Sequence, residues 1–257
     1  MLSRHLNSTR HPSLEILHED SDFCAVTKPS GFSTVSERWD SSALCLIDLL
    51  WNHWKESDPD APRPHVVHRL DKETTGVILF ARNGTAQTHL RNQFMERTVK
   101  KTYGALVEGL PDPPRGESVI HVEKNPSRPG SMRFHSSGKE CRSQYQLLEA
   151  FRDHSWVEIQ PLTGRTHQVR LTMLDLGTPC CCDNLYGTGT PLLLSSFKRD
   201  YRAGRDGVER PLLNRLGLHA LSIQFRHPAT EIEMKLESGL PKDLAASLRQ
   251  LRRWGTL

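Results

Sequence analysis

Predicted strands outnumber predicted helices in this chain of 257 residues, and the two kinds of element do not alternate strictly. Alternating or β-branched apolar segments indicate strands at residues 14–20, 22–29, 76–82, 101–109, 155–162, 218–228 and 231–237. Helical spacing of apolar residues indicates helices at 41–54, from 83 or 85 to 94, at 166–177 and at 241–255. A doubly wound parallel sheet requires regular alternation, so the sequence predicts an α+β protein with a largely antiparallel, mixed sheet flanked by helices and loops.

Two polar segments are predicted to be connections without regular structure. PDPPRGESV, residues 111–119, is rich in proline and glycine and could separate two lobes of one sheet. NPSRPGSMRFHSSGKE, residues 125–140, is basic, rich in serine and glycine, and almost free of apolar residues. We find no internal repeat and no low-complexity tract that would indicate a repeat or fibrous protein.

The apolar and cysteine content predicts a cytoplasmic chain. No segment approaches 18 uninterrupted apolar residues, and the first residues lack the apolar run of a signal peptide, so we expect no membrane span. Three of the six cysteines are adjacent, at 180–182, and neighbouring cysteines rarely meet disulfide geometry. The cysteines therefore indicate a reducing compartment.

Charge is unevenly distributed along the chain, although the formal net charge is only +4. Residues 13–63 contain ten acidic and four basic residues, whereas residues 97–142 contain nine basic and five acidic residues. Basic charge gathered in one segment suits a face that binds a polyanion, with nucleic acid the leading candidate. Charge alone does not distinguish such a face from an ordinary solvated surface.

The common cofactor and metal motifs are missing from the sequence. There is no glycine-rich dinucleotide loop, no GxxxxGK phosphate loop, no HExxH and no pair of CxxC motifs. The adjacent cysteines lack the spacing that lets ligands converge on one zinc ion, so buried packing is the preferred interpretation. We therefore expect no cofactor and no metal.

Two segments combine residue types that can carry chemistry. HRLDKETTG, residues 68–76, places Asp71 between basic residues and just before an apolar strand, where an ionised carboxylate can act as nucleophile or base. A lone aspartate in such a place more often caps a turn or pairs with a neighbouring basic residue. PLTGRTHQVR, residues 161–170, lies at a strand-to-helix junction whose free amides and arginine could hold a phosphate or a carboxylate. Plain helix capping by Thr166 is also compatible with this segment.

The two segments together resemble the signatures HRLDxxTSG and GRTHQ[IL]R of the RluA-type pseudouridine synthases. The likeness extends in order through DFCAVTKPSGFSTV, KKTYGALVEG, LGTPCCCDNLYG and LGLHALSIQFRHP, and it covers roughly residues 14–245. It implies the pseudouridine synthase fold and an isomerase that converts specific uridines of structured RNA, ribosomal or transfer, to pseudouridine after base flipping. Residues 1–13 would be an N-terminal extension and residues 14–257 one catalytic domain, without a separate N-terminal RNA-binding domain.

The resemblance also implies roles for individual residues. Asp71 corresponds to the catalytic nucleophile, Tyr103 to the tyrosine that stacks on the target uracil, and Arg165 to the arginine that pairs with the catalytic carboxylate. The other residues of the two motifs that we expect to bind substrate are His68, Arg69, Thr166, His167 and Gln168. The reaction breaks and remakes a bond within one nucleotide, so it implies neither cofactor nor metal, and we expect a monomer whose partner is RNA.

This sequence departs from the family pattern at four positions, and two other functions stay open. Thr75 stands where the family has serine, Thr172 and Thr178 where histidines are common, and Cys182 where a glycine precedes Asp183. These changes bear on loop geometry and on the RNA target more than on the reaction. The alternatives are a non-catalytic RNA-binding relative, such as an RNA chaperone, and a hydrolase that cuts a glycosidic bond and would need two cooperating carboxylates.

Overall fold

The computed structural model describes residues 14–36, 44–202 and 207–256. Within these ranges eleven strands form a single sheet. In chain order the strands are β1 Glu15–Glu19, β2 Phe23–Lys28, β3 His65–Val66, β4 Thr75–Ala81, β5 Lys100–Glu108, β6 Arg115–Lys124, β7 Met132–Phe134, β8 Lys139–Ala150, β9 His154–Pro161, β10 Leu218–Arg226 and β11 Glu233–Glu237. The helices are α1 Leu46–Ser57, α2 Gly84–Glu96, α3 Gln168–Asp175 and α4 Lys242–Trp254, with a 3-10 turn at Leu194–Ser196.

The sheet is mixed and mostly antiparallel, which confirms the predicted α+β class. Its strands follow the order β1-β2-β4-β10-β5-β9-β8-β6-β7, with β11 beside β10 and β3 beside β4. The pair β4–β10 is parallel, and the other strand pairs of the described residues are antiparallel. None of the helices in the described ranges has the length and apolar content that a membrane span needs.

Strand β4 runs through the centre of the protein and requires a glycine near its start. Every residue of β4 is buried, as the short apolar run predicts. Gly76 has a φ of +114°, and a Cβ atom there would lie 2.2 Å from the carbonyl oxygen of Ala220 in β10. The last residue of HRLDKETTG is therefore glycine because the backbones of the two parallel strands approach closely at this point.

Alternate residues of the central strand β5 pack on different helices. Ala105 and Val107 share a core with α3, whereas Leu106 lies in a core with the leucines of α4. Successive side chains of a strand point to opposite faces, so α3 and α4 cover opposite faces of the sheet. The buried residues of α4 are Leu244, Ser247, Leu248 and Leu251, and the three leucines are those that the helical spacing predicts.

The helix boundaries differ from the prediction mainly at α1. That helix begins at Leu46, after Leu44, whose exposed fraction is 42%. The predicted capping serines, Ser41 and Ser42, lie outside the described residues. Helix α2 begins after Asn83, whose side chain accepts the N–H of Ala86 as a capping residue should. Helix α3 is followed by Gly177 at a φ of +71°, which confirms the predicted stop.

Both segments predicted as unstructured connections contain strands, so that prediction was wrong. Strand β6 begins inside residues 111–119, and residues 125–140 contain β7 and the start of β8. The alternation that identifies β6 is visible at Ser118, Ile120 and Val122, which are buried while their neighbours are more exposed. Proline and glycine at the start of the segment concealed this pattern, and β8 was not predicted at all.

Candidate functional site

A cleft of about 1000 Å³ lies where the two predicted motifs meet. Residues 67–72 and Thr74, Lys101 and Tyr103 of strand β5, and residues 161–169 line it, so the fold brings together segments that are about 90 residues apart in sequence. Among the described residues, Asp71 is the only acidic one in this lining. The basic side chains of the lining are Arg69, Lys72, Arg97, Lys101, Lys124 and Arg165. A cleft lined by these basic side chains favours an anionic ligand.

The turn after β2 holds the loop that carries Asp71. The backbone N–H of Gly31 donates to the carbonyl oxygen of Lys72 at 3.0 Å, and the Ser30 hydroxyl donates to that of Glu73 at 3.0 Å. On the other side of Asp71, the Thr34 hydroxyl both donates to and accepts from the backbone of Leu70. Residues 30–34, the second half of the KPSG turn and its continuation, therefore fix the backbone on both sides of the aspartate.

Lys28 completes this support from inside the protein. Its side chain is fully buried, and Nζ donates to the carbonyl oxygens of Pro29 at 2.9 Å and Lys72 at 2.7 Å. Burial lowers the pKa of Lys28 from 10.5 to about 7, against the opposing charges of Glu73 and Asp71. The lysine thus links the KPSG turn to the aspartate loop through main-chain carbonyls.

The Asp71 carboxylate faces two cationic or potentially cationic side chains from helix α3 and its N-cap. Nε2 of His167 lies 3.9 Å from Asp71 Oδ1, and a terminal nitrogen of Arg170 lies 3.9 Å from Oδ2. Arg170 also binds Asp183 with two hydrogen bonds of 2.7 and 2.6 Å, and both of these side chains are buried. Of these four side chains, that of Asp71 is the most exposed, with 28% of its area accessible. The Asp71 carboxylate is therefore accessible from the cleft, and its charge partners lie beneath it.

Burial and ion pairing shift the pKa values of Arg170 and Asp183 in opposite directions. Burial lowers the pKa of Arg170, but the hydrogen bonds and charge of Asp183 and the charge of Asp71 raise it by more. For Asp183, burial raises the pKa and the Arg170 contacts lower it below the ordinary value. The pKa of His167 is lowered, chiefly by burial, so His167 is predominantly neutral at neutral pH.

Arg170, and not Arg165, is the arginine that the structure places beside Asp71, which corrects the predicted pair. Nε of Arg165 donates to the carbonyl oxygen of Glu140 at 3.0 Å, and its side chain lines the cleft. Both arginines belong to GRTHQVR. Arg170 lies inside α3, one helical turn after His167, and a spacing of three residues puts both on one face. That spacing was the signal in the sequence that could have identified Arg170.

Gln168 also needs a correction, because its amide is committed within the protein. Oε1 accepts from the Thr163 hydroxyl and the Arg165 N–H, while Nε2 donates to the Arg142 carbonyl and the Ser143 hydroxyl. These four hydrogen bonds use the whole capacity of the side chain. Gln168 therefore shapes the 163–168 turn and has no polar group left for a substrate.

The remaining predicted residues line the same cleft in different ways. Tyr103 projects from β5, and burial followed by the charge of Asp71 raises its pKa. His68 stacks on Phe94 with ring centres 4.6 Å apart, and its Nε2 accepts the N–H of Leu79. Burial and the charge of Lys101 lower the pKa of His68 to about 3. Its contacts give it a supporting role, whereas Arg69 and Thr166 expose their side chains at the cleft.

Two of the departures from the family pattern have a structural basis. Thr75 keeps the hydroxyl that serine would supply, and this hydroxyl lies 2.7 Å from Nδ1 of the buried His219. Cys182 has a φ of +58°, in the left-handed region that favours the glycine of the family pattern. Its side chain is buried, and Sγ lies 3.4 Å from the carbonyl oxygen of Leu213.

Two groups of side chains in the described chain resemble metal ligands. Cys180, Cys181 and Cys182 are buried, and burial raises the pKa of each thiol. Asp20, Asp22 and His227 lie close enough for a metal site in the described chain. However, Nδ1 of His227 accepts two backbone N–H groups, so the ring proton lies on Nε2, which faces Asp20 at 3.0 Å. This cluster joins two turns.

Comparisons of the sequence with known proteins identify one family. A sequence profile described as RNA pseudouridylate synthase matches residues 22–175. The chain is 34% identical to a ribosomal large subunit pseudouridine synthase D of Nitrosomonas europaea, with 93% of this chain and 65% of the relative covered. A synthase D of Yersinia pestis is 30% identical, with 93% and 71% covered. A synthase C of Vibrio cholerae is 32% identical, with 93% and 69% covered.

Solved structures of similar fold lead to the same group of proteins. Human RNA pseudouridylate synthase domain containing 4 superposes with a TM-score of 0.71 at 28% identity, and 93% of each chain is covered. Human RNA pseudouridylate synthase domain containing 1 superposes with a TM-score of 0.64 at 24% identity, which supports the fold alone.

Proposed function

The chain belongs to the RNA pseudouridylate synthase family, and we propose that it isomerises uridine in RNA to pseudouridine with Asp71 as the nucleophile. The observation that carries this proposal is the cleft in which, within the described parts of the chain, Asp71 is the single acidic lining residue beside six basic ones. Ribosomal RNA is the substrate that we favour over transfer RNA, because the relatives named above act on the large ribosomal subunit.

The isomerisation needs few chemical groups, and the cleft offers them. The bond between C1′ of the ribose and N1 of uracil breaks, a bond forms between C1′ and C5, and the proton leaving C5 is replaced by one on N1. Asp71 supplies a carboxylate that attacks ribose or base and later leaves, so no atom is gained or lost. Arg170 supports its negative charge from 3.9 Å, and Tyr103 offers a flat wall for the detached ring.

The target base has to leave its stack to reach this carboxylate. Asp71 lies within the cleft, so base flipping is expected. The basic side chains of the cleft, together with the basic segment 97–142, would contact the phosphates on either side of the flipped nucleotide. Arg69, Thr166 and Arg165 are the lining residues that we expect to contact the RNA.

The two alternative functions have less support from the site. A glycosidic hydrolase would need a second carboxylate beside Asp71, and Glu73 accepts a hydrogen bond from Ser30 in the supporting turn. A non-catalytic RNA chaperone would have no use for an aspartate held between His167 and Arg170. Free uracil among the products would favour the hydrolase, and RNA binding without turnover would favour the chaperone.

The proposed compartment and oligomeric state are the cytoplasm and a monomer. All six cysteines are free and buried in the described chain, which fits a reducing compartment. Cell fractionation and analytical ultracentrifugation of the purified protein test these two points.

Release of tritium from RNA labelled at C5 of uridine tests the proposed reaction. The wild-type protein should release tritium under single-turnover conditions, and Asp71→Asn should release less than about a hundredth as much, because an amide of the same shape cannot act as the nucleophile. RNA affinity and the unfolding transition of Asp71→Asn should stay near those of wild type.

Pseudouridine mapping of total RNA, with and without the protein, then identifies the target nucleotide. A wild-type protein that binds RNA but releases no tritium from any RNA fraction would overturn the proposal. Full activity of Asp71→Asn would show that Asp71 is not the nucleophile.

A further inference from the structure

Tyr186 contacts both charge partners of Asp71 from below the cleft, although it does not line the cleft itself. Its hydroxyl oxygen lies 2.7 Å from Nδ1 of His167, and it accepts the backbone N–H of Met132 in β7 at 2.8 Å. The Arg170 guanidinium lies over its ring, 4.9 Å from the ring centre. The His167 ring packs edge-on against it at 5.5 Å.

The backbone around Tyr186 is held rigidly. Asp183 Oδ1 accepts the N–H groups of Leu185 and Tyr186 at 2.9 and 3.0 Å, in addition to its bonds with Arg170. Arg128, from the connection between β6 and β7, donates to the carbonyl oxygens of Asn184 and Leu185 at 2.9 Å each. The tyrosine therefore sits at a fixed position between the β6–β7 hairpin and helix α3.

Hydrogen-bond accounting assigns the protons in this cluster. A hydroxyl has one proton to donate, and the Met132 N–H already occupies one of its lone pairs. Donation of that proton to Nδ1 of His167 satisfies both groups at 2.7 Å. A neutral imidazole that accepts at Nδ1 carries its proton on Nε2, the nitrogen that lies 3.9 Å from Asp71 Oδ1.

We infer that Tyr186 is a positioning residue, which fixes the orientation and tautomer of His167 so that its Nε2–H faces the Asp71 carboxylate. The effect of this arrangement on the rate rests on the proposed function, whereas the tautomer itself does not. A neutral N–H donor close to Asp71 would keep the carboxylate oriented without neutralising its charge as a full ion pair would.

The same hydrogen bond determines how His167 responds to pH. The titratable and charged groups that face His167 are Asp71 from the loop before β4, Arg170 from α3, and Asp183 and Tyr186 from the segment after α3. A donor to Nδ1 stabilises the neutral ring, in the same direction as burial. Removing the Tyr186 hydroxyl should therefore raise the pKa of His167 and let the protonated ring pair with Asp71 at higher pH.

Long-range ¹⁵N NMR of protein labelled on histidine tests the inference without any substrate. The His167 resonances are assigned by their loss in His167→Gln. In the wild-type protein we expect a protonated Nε2 and an unprotonated Nδ1. In Tyr186→Phe we expect a mixture of tautomers and a His167 pKa about one unit higher, the size of one net hydrogen bond. A wild-type His167 protonated on Nδ1 would overturn the inference.

Two control variants separate the hydroxyl from other effects of the substitution. Tyr145→Phe removes a hydroxyl that donates to Pro113, and it should leave the His167 resonances unchanged. Arg128→Met removes the hydrogen bonds between the β6–β7 connection and the carbonyl oxygens of Asn184 and Leu185. It keeps the Tyr186 hydroxyl, so it should also preserve the His167 tautomer. If Arg128→Met changes the tautomer as much as Tyr186→Phe does, the hairpin and not the hydroxyl holds His167, and the inference fails.

Single-turnover rates at saturating RNA provide the second measurement. Tyr186→Phe should displace the acid limb of the pH profile by about one unit to higher pH, so that the rate on that limb is up to about tenfold lower, and the rate should recover as the solution becomes alkaline. An unchanged pH profile would exclude action through His167. If the wild-type protein releases no tritium at all, the proposed function fails, while the tautomer experiment still decides the position of the His167 proton.

Discussion

Arg165 and Arg170 both belong to the GRTHQVR motif, but their side chains bind different partners. Arg170 is buried between Asp183 and Asp71, whereas Arg165 donates to a main-chain carbonyl and lines the cleft. A guanidinium that holds a buried carboxylate acts on stability and on the neighbouring reactive group together. One that faces a cleft acts on ligand binding.

Substitution of each arginine should separate these roles. Arg170→Lys keeps a positive charge but loses the bidentate geometry, so we expect a lower unfolding temperature and at least about a tenfold lower single-turnover rate at saturating RNA. Arg165→Met should weaken RNA affinity and leave the saturating rate and the unfolding temperature near those of wild type. Thermal unfolding and tritium release at saturation check both variants. A severe loss of saturating rate in Arg165→Met with a normal rate in Arg170→Lys would restore the pair predicted from the sequence.

The close approach of β4 and β10 requires a glycine at position 76. A Cβ atom in Gly76→Ala would lie 2.2 Å from a backbone oxygen of β10, and the φ of +114° is itself unfavourable for alanine. We expect the free energy of unfolding to fall by more than about 3 kcal/mol. The matched control is Gly84→Ala, at the start of α2, where no atom lies within 4 Å and stability should be unchanged or up to about 1 kcal/mol higher. Urea unfolding measures both variants, and equal stabilities would refute the close approach of β4 and β10.

The KPSG turn is held by the buried side chain of Lys28, which binds the carbonyl oxygens of Pro29 and Lys72. Lys28 releases its proton in the folded protein near pH 7, but in the unfolded chain near its ordinary value of 10.5. Between these values the unfolded chain binds more protons, so the contribution of Lys28 to the free energy of unfolding rises with pH. Below about pH 7 both states are protonated and this contribution is constant.

Lys28→Met should remove this pH dependence and also weaken the aspartate loop. The free energy of unfolding, measured in urea at about pH 7, 8 and 9, should rise less steeply in the variant than in wild type. The single-turnover rate should fall because Nζ no longer holds the carbonyls of Pro29 and Lys72. Lys72→Met replaces an exposed side chain and should keep the wild-type slope. Parallel curves for wild type and Lys28→Met would show that Lys28 is not the titrating group.

Helices and strands whose apolar residues recur at a regular spacing are predicted well from the sequence. Polar strands near the edge of the sheet are predicted poorly. Strand β4 and helix α4 have simple patterns, and both lie where predicted. Strands β6, β7 and β8 begin in segments rich in proline, glycine and charge, and antiparallel pairing with each other organises them. Pairing between distant residues is a tertiary effect that local propensity does not contain.

The candidate site shows the same division between local pattern and tertiary contact. Motif resemblance identified Asp71 and Tyr103, which do line the cleft. The contacts of Arg170 with Asp183 and of Tyr186 with His167 join residues 13 and 19 positions apart across a loop, and only the fold brings them together.

On the scale of the molecule, the cleft that contains Asp71 is lined by six basic side chains of the described chain. Arg97 and Lys124 are exposed lining residues from different parts of the basic segment, at the end of α2 and the end of β6. An RNA that enters the cleft would exchange condensed counterions for these side chains. Affinity should therefore fall steeply as the salt concentration rises, with a slope that reports the number of phosphate contacts.

Neutral variants of these two residues should lower that slope by measurable steps. In Arg97→Gln and in Lys124→Gln, the slope of log affinity against log salt should decrease by about 0.7–0.9 each, and the double variant by about twice that amount. Single-turnover rates at saturation should stay near wild type, because neither side chain contacts Asp71 in the structure. Arg252→Gln provides the control, since Arg252 binds Glu149 from α4 and is absent from the cleft lining. Filter binding over a salt series measures the slopes, and an equal decrease in Arg252→Gln would mean that net charge, rather than the cleft, controls RNA affinity.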